Sequence, residues 1–218
     1  MLEAAPTPAH ARRALQLRAI SREQFDAIMA GEPFDLHDPA AGLTLARAAA
    51  VILLGGFAGL RPTEILRVLP ADLDVPTSIL HVGQRQAKNN PSVRSIPLAP
   101  EVARRLEPLL SPALFLNRNR QRPMNEASLR HYMSTRLAAT GLLLPPKYLR
   151  KSFVSALKHA GARPDLLERY IGHAISDQSA VTAQSYLADY DAIQLQPIAN
   201  LTDGLLRNCY KNSQSIEI

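Results

Sequence analysis

Arg61, Lys88, Lys147, Arg150, His173 and Tyr186 are the residues of this chain whose types could together do chemistry. They supply the groups that phosphodiester transfer requires when no metal takes part. A phenol can attack phosphorus, but with a pKa near ~10 it is a poor nucleophile until neighbouring cations stabilise its phenolate. Two or more cations must neutralise the non-bridging oxygens as charge builds in the transition state. A base takes the nucleophile's proton, and an acid meets the leaving 5′ oxygen. The sequence offers no Asp/Glu grouping with the look of a two-metal site, no His or Cys pairing that suggests zinc, and no Gly-rich loop that reads as a P-loop. Covalent work on nucleic acid would then proceed without metal or nucleotide, and no cofactor is expected.

Composition points the same way. The 218 residues carry 25 Lys+Arg against 19 Asp+Glu, a formal +6, which favours a polyanionic partner. The charge is uneven. Residues 1–60 hold five Arg and six acidic residues, whereas residues 61–218 hold the other twenty basic and thirteen acidic ones. Between residues 112 and 160 nine basic side chains face only Glu126. A solvated basic surface explains such a run as well as a binding face does. Six of those nine are Arg, whose planar fork suits phosphate better than ammonium. The single cysteine, Cys209, excludes an intramolecular disulfide and fits a reducing, cytoplasmic compartment. The first twenty residues lack the apolar core of a signal peptide, and the longest uncharged apolar run, 48–60, is too short to span a bilayer.

The elements that must position these groups are mostly helical. Residues 1–19 read as a linker, 20–209 as one catalytic unit and 210–218 as a polar tail. A first helix begins at Ser21, with Gln24 completing a capping box and Ile20 and Phe25 forming a hydrophobic staple. An apolar helix follows over 44–58, capped by Gly59, with Gly55 and Gly56 placed for close packing. Pro62 opens a short helix through residue 68. The pattern then switches to strands over 78–82, 84–87 and 93–97, with Asn89-Asn90-Pro91-Ser92 as a turn. Helices resume over 100–110, 125–140, 146–160, 164–171, 180–187 and 191–208. The expected fold is mainly α with a small antiparallel β-sheet (α+β).

Five segments, in order, resemble the motifs of the tyrosine recombinase, or phage integrase, family, and together they cover residues 43–191. Gly59-Leu60-Arg61-Pro62-Thr63-Glu64-Ile65-Leu66 is similar to the first arginine box. Ala87-Lys88-Asn89-Asn90 followed by Arg94-Ser95-Ile96-Pro97-Leu98 resembles the β-hairpin lysine and its closing strand. Lys147-Tyr148-Leu149-Arg150-Lys151-Ser152-Phe153 resembles the second box. Twenty-three residues after Arg150, the segment Leu167-Glu168-Arg169-Tyr170-Ile171-Gly172-His173 resembles the Leu-Gly-His box. Thr182-Ala183-Gln184-Ser185-Tyr186 is similar to the segment that ends in the nucleophilic tyrosine.

The resemblance implies a tyrosine-recombinase catalytic fold and a role for each residue. Arg61 and Arg150 would clamp the scissile phosphate, with His173 hydrogen-bonded to it. Lys88 would protonate the leaving oxygen, Lys147 would hold the base position, and Tyr186 would attack to give a 3′-phosphotyrosyl link. Glu64, one turn after Arg61, would orient that arginine. Three features depart from the family pattern. Lys147 stands where His is commoner, and Lys151 also replaces a frequent histidine. The thirteen-residue step from His173 to Tyr186 exceeds the family's common one, which leaves Tyr190 as an alternative nucleophile.

The resemblance further implies double-stranded DNA as partner, a homotetramer on DNA with a monomer possible when free, and a bacterial-type, nucleoid-associated location. Family members usually carry an N-terminal DNA-binding domain, so residues 1–19 read as the linker from such a domain. Two other readings stay open: an integrase remnant that binds DNA without cutting it, and strand relaxation of the type IB topoisomerase kind. The apolar side chains of Ile193, Leu195, Ile198, Leu201, Leu205 and Leu206 fit either a segment passed to a neighbouring copy or a last core helix.

Overall fold

The apolar run after residue 44 forms the central helix of the fold. The structure, a computed structural model, describes residues 39–85, 93–112, 114–116, 122–137, 145–173 and 192–214. Helix α1 (Pro39–Gly56) carries Ala48 to Leu54 with each residue 4% exposed or less, so it is wrapped on nearly every side. Its one internal charge, Arg47, turns to the backbone carbonyls of Leu114 and Leu116, the latter at 2.6 Å, and so fixes that segment against the helix. Gly59 reverses the chain with φ +67°, and Pro62 then starts the single turn α2 (Pro62–Ile65).

Three short strands follow: β1 (Leu73–Asp74), β2 (Ile79–Val82) and β3 (Arg94–Pro97), antiparallel in the order β1-β2-β3. Their register pairs Leu80 with Ile96 and Val82 with Arg94 on one face, and His81 with Ser95 on the other. Leu80 and Ile96 are fully buried, whereas His81 and Ser95 share a 2.8 Å hydrogen bond near the surface. Sequence reading places a strand at 84–87, but Gln84 and Arg85 form a turn; the third strand is the two-residue β1. The side chain of Arg85 instead holds both carboxylate oxygens of Asp72 at 2.7 Å, next to β1. The first predicted helix, the turn at Asn89 and the helix over 180–187 lie outside the described residues.

Helix α3 (Pro100–Leu106) continues into a 3-10 turn, and α4 (Glu126–Leu137) starts where Asn125 accepts the N–H of Ser128 at 2.8 Å. Helix α5 (Pro146–His159) buries Leu149, Phe153 and Leu157, spaced by one helical turn. It packs against α1, where a Cβ on Gly55 would come within 3.1 Å of Leu149 Cβ. The two helices therefore approach as closely as a glycine allows. Helix α6 (Pro164–Tyr170) is followed by α7 (Ala192–Gln214), which runs past the predicted end at residue 208 and packs on β3, α5 and α6.

Leu195, Ile198 and Leu206 of α7 are 1% exposed, and Leu201 and Leu205 pack beside them, so these residues complete the chain's own core. Ile193 lies outside it at 77% exposure. Among the described residues no helix is long and apolar enough to cross a membrane.

Candidate active site

Glu64 is the centre of the site. It sits in the third position of α2, is fully buried, and has a guanidinium on several sides. Arg61, in an extended conformation just before Pro62, donates its backbone N–H to Oε2 at 2.7 Å and its Nη1 to Oε1 at 2.8 Å. The backbone contact is half of a capping box: a Glu at this position answers an N-terminal donor that has no partner in the helix. From β3, Arg94 places Nη1 3.1 Å from Oε1 and Nη2 3.3 Å from Oε2. Nη1 of Arg150, from the first turns of α5, lies 3.9 Å from Oε2.

Burial alone would raise the pKa of Glu64, but the charge and hydrogen bonds of Arg94, and then those of Arg61, outweigh it and hold the carboxyl below its ordinary range. Arg150 is pushed down to about 10, first by burial and then by the charge of Arg61, and is still protonated at neutral pH.

The same three arginines meet a second feature, the C-terminal end of α6. Three consecutive carbonyls there each receive a different guanidinium. Tyr170 O accepts Arg94 Nε at 2.7 Å, Ile171 O accepts Arg150 Nη2 at 2.7 Å, and Gly172 O accepts Arg61 Nη2 at 2.9 Å. A helix leaves its last carbonyls unpaired and concentrates partial negative charge at that end, so cations are favoured there. Arg150 also reaches Gly59 O at 2.6 Å, tying the turn before α2 to α5.

The turn after α6 is a Schellman motif. Gly172, with φ +69°, donates its N–H to Arg169 O at 3.0 Å, and His173 donates to Glu168 O at 2.9 Å. A Cβ on Gly172 would lie 2.8 Å from Arg94 Nη1, so both the backbone and the neighbouring guanidinium require glycine.

His173 therefore leaves the turn beside the arginines. Its Nδ1 is 2.6 Å from Glu168 Oε2, which leaves Nε2 as the ring nitrogen turned away from that carboxylate. Three guanidiniums against Glu64 and Glu168 leave the group net positive. Arg61 is the most accessible of the three, with 23% of its side chain exposed, and 47% of the His173 side chain is exposed. The arrangement can bind an anion at a small, partly open, cationic surface.

The structure thus brings together Arg61, Arg150 and His173 from distant parts of the chain. Lys147 stands on the exposed first turn of α5, with Nζ 5.2 Å from the ring centre of Tyr148. Lys151 lies over the same ring at 5.4 Å. Lys88, Tyr186 and the alternative Tyr190 lie outside the described residues.

Arg94 is the group that sequence reading missed, since it drew notice only as part of a closing strand. Its signal was positional: in a strand that alternates faces it shares a side with Ile96, and a charge there needs a buried acid.

The phage integrase family model matches residues 36–192. The chain belongs to the phage integrase family. Among solved structures it is similar to the integrase from mycobacterium phage Brujita, with a TM-score of 0.55 and 18% identity over 93% of this chain and 59% of that one. It is also similar to XerA recombinase, with a TM-score of 0.51 and 16% identity over 78% of this chain and 65% of that one. At such identities the likeness is one of fold: a mainly helical domain with a small antiparallel sheet. The chain spans less than two thirds of the length of either structure. A search of curated proteins gave no match.

Proposed function

We propose that this integrase-family chain cuts and rejoins DNA strands at specific sites through a covalent 3′-phosphotyrosyl intermediate. The observation that carries the reading is the meeting of Arg61 and Arg150, 89 positions apart in sequence, around Glu64 and on adjacent carbonyls beside His173.

The steps balance without an external energy source. The Tyr186 oxygen forms a bond to the scissile phosphorus as the bond from phosphorus to the 5′ oxygen breaks. The phenol proton passes to a base, for which Lys147 holds the family position. Lys88 gives a proton to the departing oxygen. Arg61 and Arg150 neutralise the non-bridging oxygens as charge accumulates, and His173 hydrogen-bonds to one of them. Rejoining is the same path reversed with a new 5′ hydroxyl, so the phosphotyrosine conserves the bond energy and neither metal nor ATP is consumed. Double-stranded DNA is the partner, and a tetramer on two sites would allow exchange.

The test is covalent capture. The 218-residue chain is mixed in EDTA with a pool of duplexes carrying a nick beside a randomised core, from which the short cleaved fragment diffuses away. A denaturation-resistant adduct is expected with the wild type and none with Tyr186→Phe. An adduct that survives in Tyr186→Phe and is lost in Tyr190→Phe moves the nucleophile to Tyr190. Duplex binding with no adduct from any member of the pool would overturn the reading in favour of a binding remnant. Plasmid relaxation without sequence preference would favour a topoisomerase activity.

A further inference from the structure

Arg94 is the least accessible guanidinium of the group, with 6% of its side chain exposed against 23% for Arg61 and 11% for Arg150. Its fork is engaged on both edges of the Glu64 carboxylate, and its Nε on Tyr170 O. A phosphate could reach it only by displacing those partners. What Arg94 touches, however, is what aligns the more open groups. Glu64 holds Arg61 by side chain and backbone, and the turn behind Tyr170 delivers His173.

The same strand grips α6 a second time, because the buried Tyr170 hydroxyl donates to Pro97 O at 3.0 Å. β3 therefore fixes the end of α6 at two points, Arg94 and Pro97, and Gly172 is shaped to let the first contact form.

We infer that Arg94 is a positioning residue for the proposed strand cleavage: it locks Glu64, and through it Arg61, and sets the turn that presents His173, without touching DNA. The inference rests on the strand-cleavage reading. It predicts that loss of Arg94 slows the chemical step and leaves duplex affinity intact.

The experiment uses the duplex recovered by covalent capture. Single-turnover cleavage is measured at saturating duplex and affinity is measured separately. Arg94→Gln should lower the cleavage rate by about tenfold or more, with affinity within about twofold of wild type. Arg94→Lys should recover part of the rate, since an ammonium keeps a charge against Glu64 but cannot grip both of its oxygens. In a Glu64→Gln background, Arg94→Gln should add little, because the two act as one unit.

The pH profile separates positioning from bulk stability. Glu64 faces Arg61 from its own turn, Arg94 from β3 and Arg150 from α5. With Arg94 gone, its carboxyl protonates at higher pH, so the acid limb of the rate should move upward. A purely structural loss would lower the melting temperature and leave that limb in place.

If Arg94→Gln does not fold, Arg94→Lys carries the test by the same two measurements, with slowed cleavage and wild-type affinity expected. Wild-type cleavage by the folded variants, or a loss of affinity in step with rate, would overturn the inference. Absence of product from the wild type would instead overturn the strand-cleavage reading and this inference with it.

Discussion

Removing the charge of Glu64 should destabilise the fold more than any other single polar change at the site. Its side chain is fully buried and acts only as an acceptor, receiving two N–H groups from Arg61 and two from Arg94 within 3.3 Å, with Arg150 at 3.9 Å. Glu64→Gln keeps the size but turns one acceptor into a donor that faces other donors. It also leaves the guanidiniums buried without their shared counter-charge. Breaking a buried pair from one side costs about 3–5 kcal/mol. That is a large part of the ~5–15 kcal/mol that holds a typical domain together. A domain of this size loses about 2–4 °C of melting temperature per kcal/mol, so the midpoint should fall by about 6–20 °C.

Urea unfolding of wild type, Glu64→Gln and Glu64→Asp measures this effect. The pH dependence adds a sign. The folded pKa of Glu64 lies below the ordinary 4.5, so its contribution is present above that value and is lost as pH falls through the folded pKa. Glu64→Gln should remove that part of the acid sensitivity. A loss of less than about 1 kcal/mol at neutral pH would refute the idea that one carboxylate holds the three arginines together.

Other consequences are accessible to simple measurements. Gly59→Ala combines a φ of +67° with a Cβ 2.7 Å from the Phe153 ring, so it should cost more than the ~1–2 kcal/mol of the backbone strain alone, read by urea unfolding. Phe153→Ala removes a 2% exposed ring packed under Gly59 and beside Tyr170, and should cost about 3–5 kcal/mol in the same assay. Burial pushes the Tyr170 phenol well above its usual value, so alkaline titration of phenolate absorbance, compared between wild type and Tyr170→Phe, should show the Tyr170 hydroxyl protonated until the chain unfolds. Affinity for duplex DNA should fall steeply with added salt, as contacts to phosphate require, and a flat salt response would argue against a cationic DNA face.

Much of this architecture is legible in the sequence, and the rest is hidden for physical reasons. Helix starts were marked by residues with one dominant conformational use: Pro62, Pro100, Pro146 and Pro164 each open a helix, and Asn125 caps one. Gly59, predicted as a helix end, takes positive φ, as do Gly161 and Gly172 at the ends of α5 and α6.

The strands were harder to place. β1 is two residues long and exists through its pairing with β2, so no local alternation announces it, while Gln84 and Arg85, read as the start of a strand, form a turn. Arg61, Arg150 and His173, which the structure brings together, were singled out through ordered motifs. Arg94 escaped because its meaning depends on Glu64, thirty residues earlier, and on a carbonyl seventy-six residues later. Such couplings belong to the tertiary structure and leave only a charge on the inward side of a strand as their trace.

The proposed function rests on Arg61 and Arg150 acting together on one phosphate. Single-turnover cleavage of a captured duplex by Arg61→Ala and Arg150→Ala, each shown to be folded and saturated with DNA, tests it most directly. Each should slow the cleavage step by about 100-fold or more, or ~3 kcal/mol, as expected when one donor to a developing negative charge is removed. Cleavage by either variant at close to the wild-type rate would contradict it.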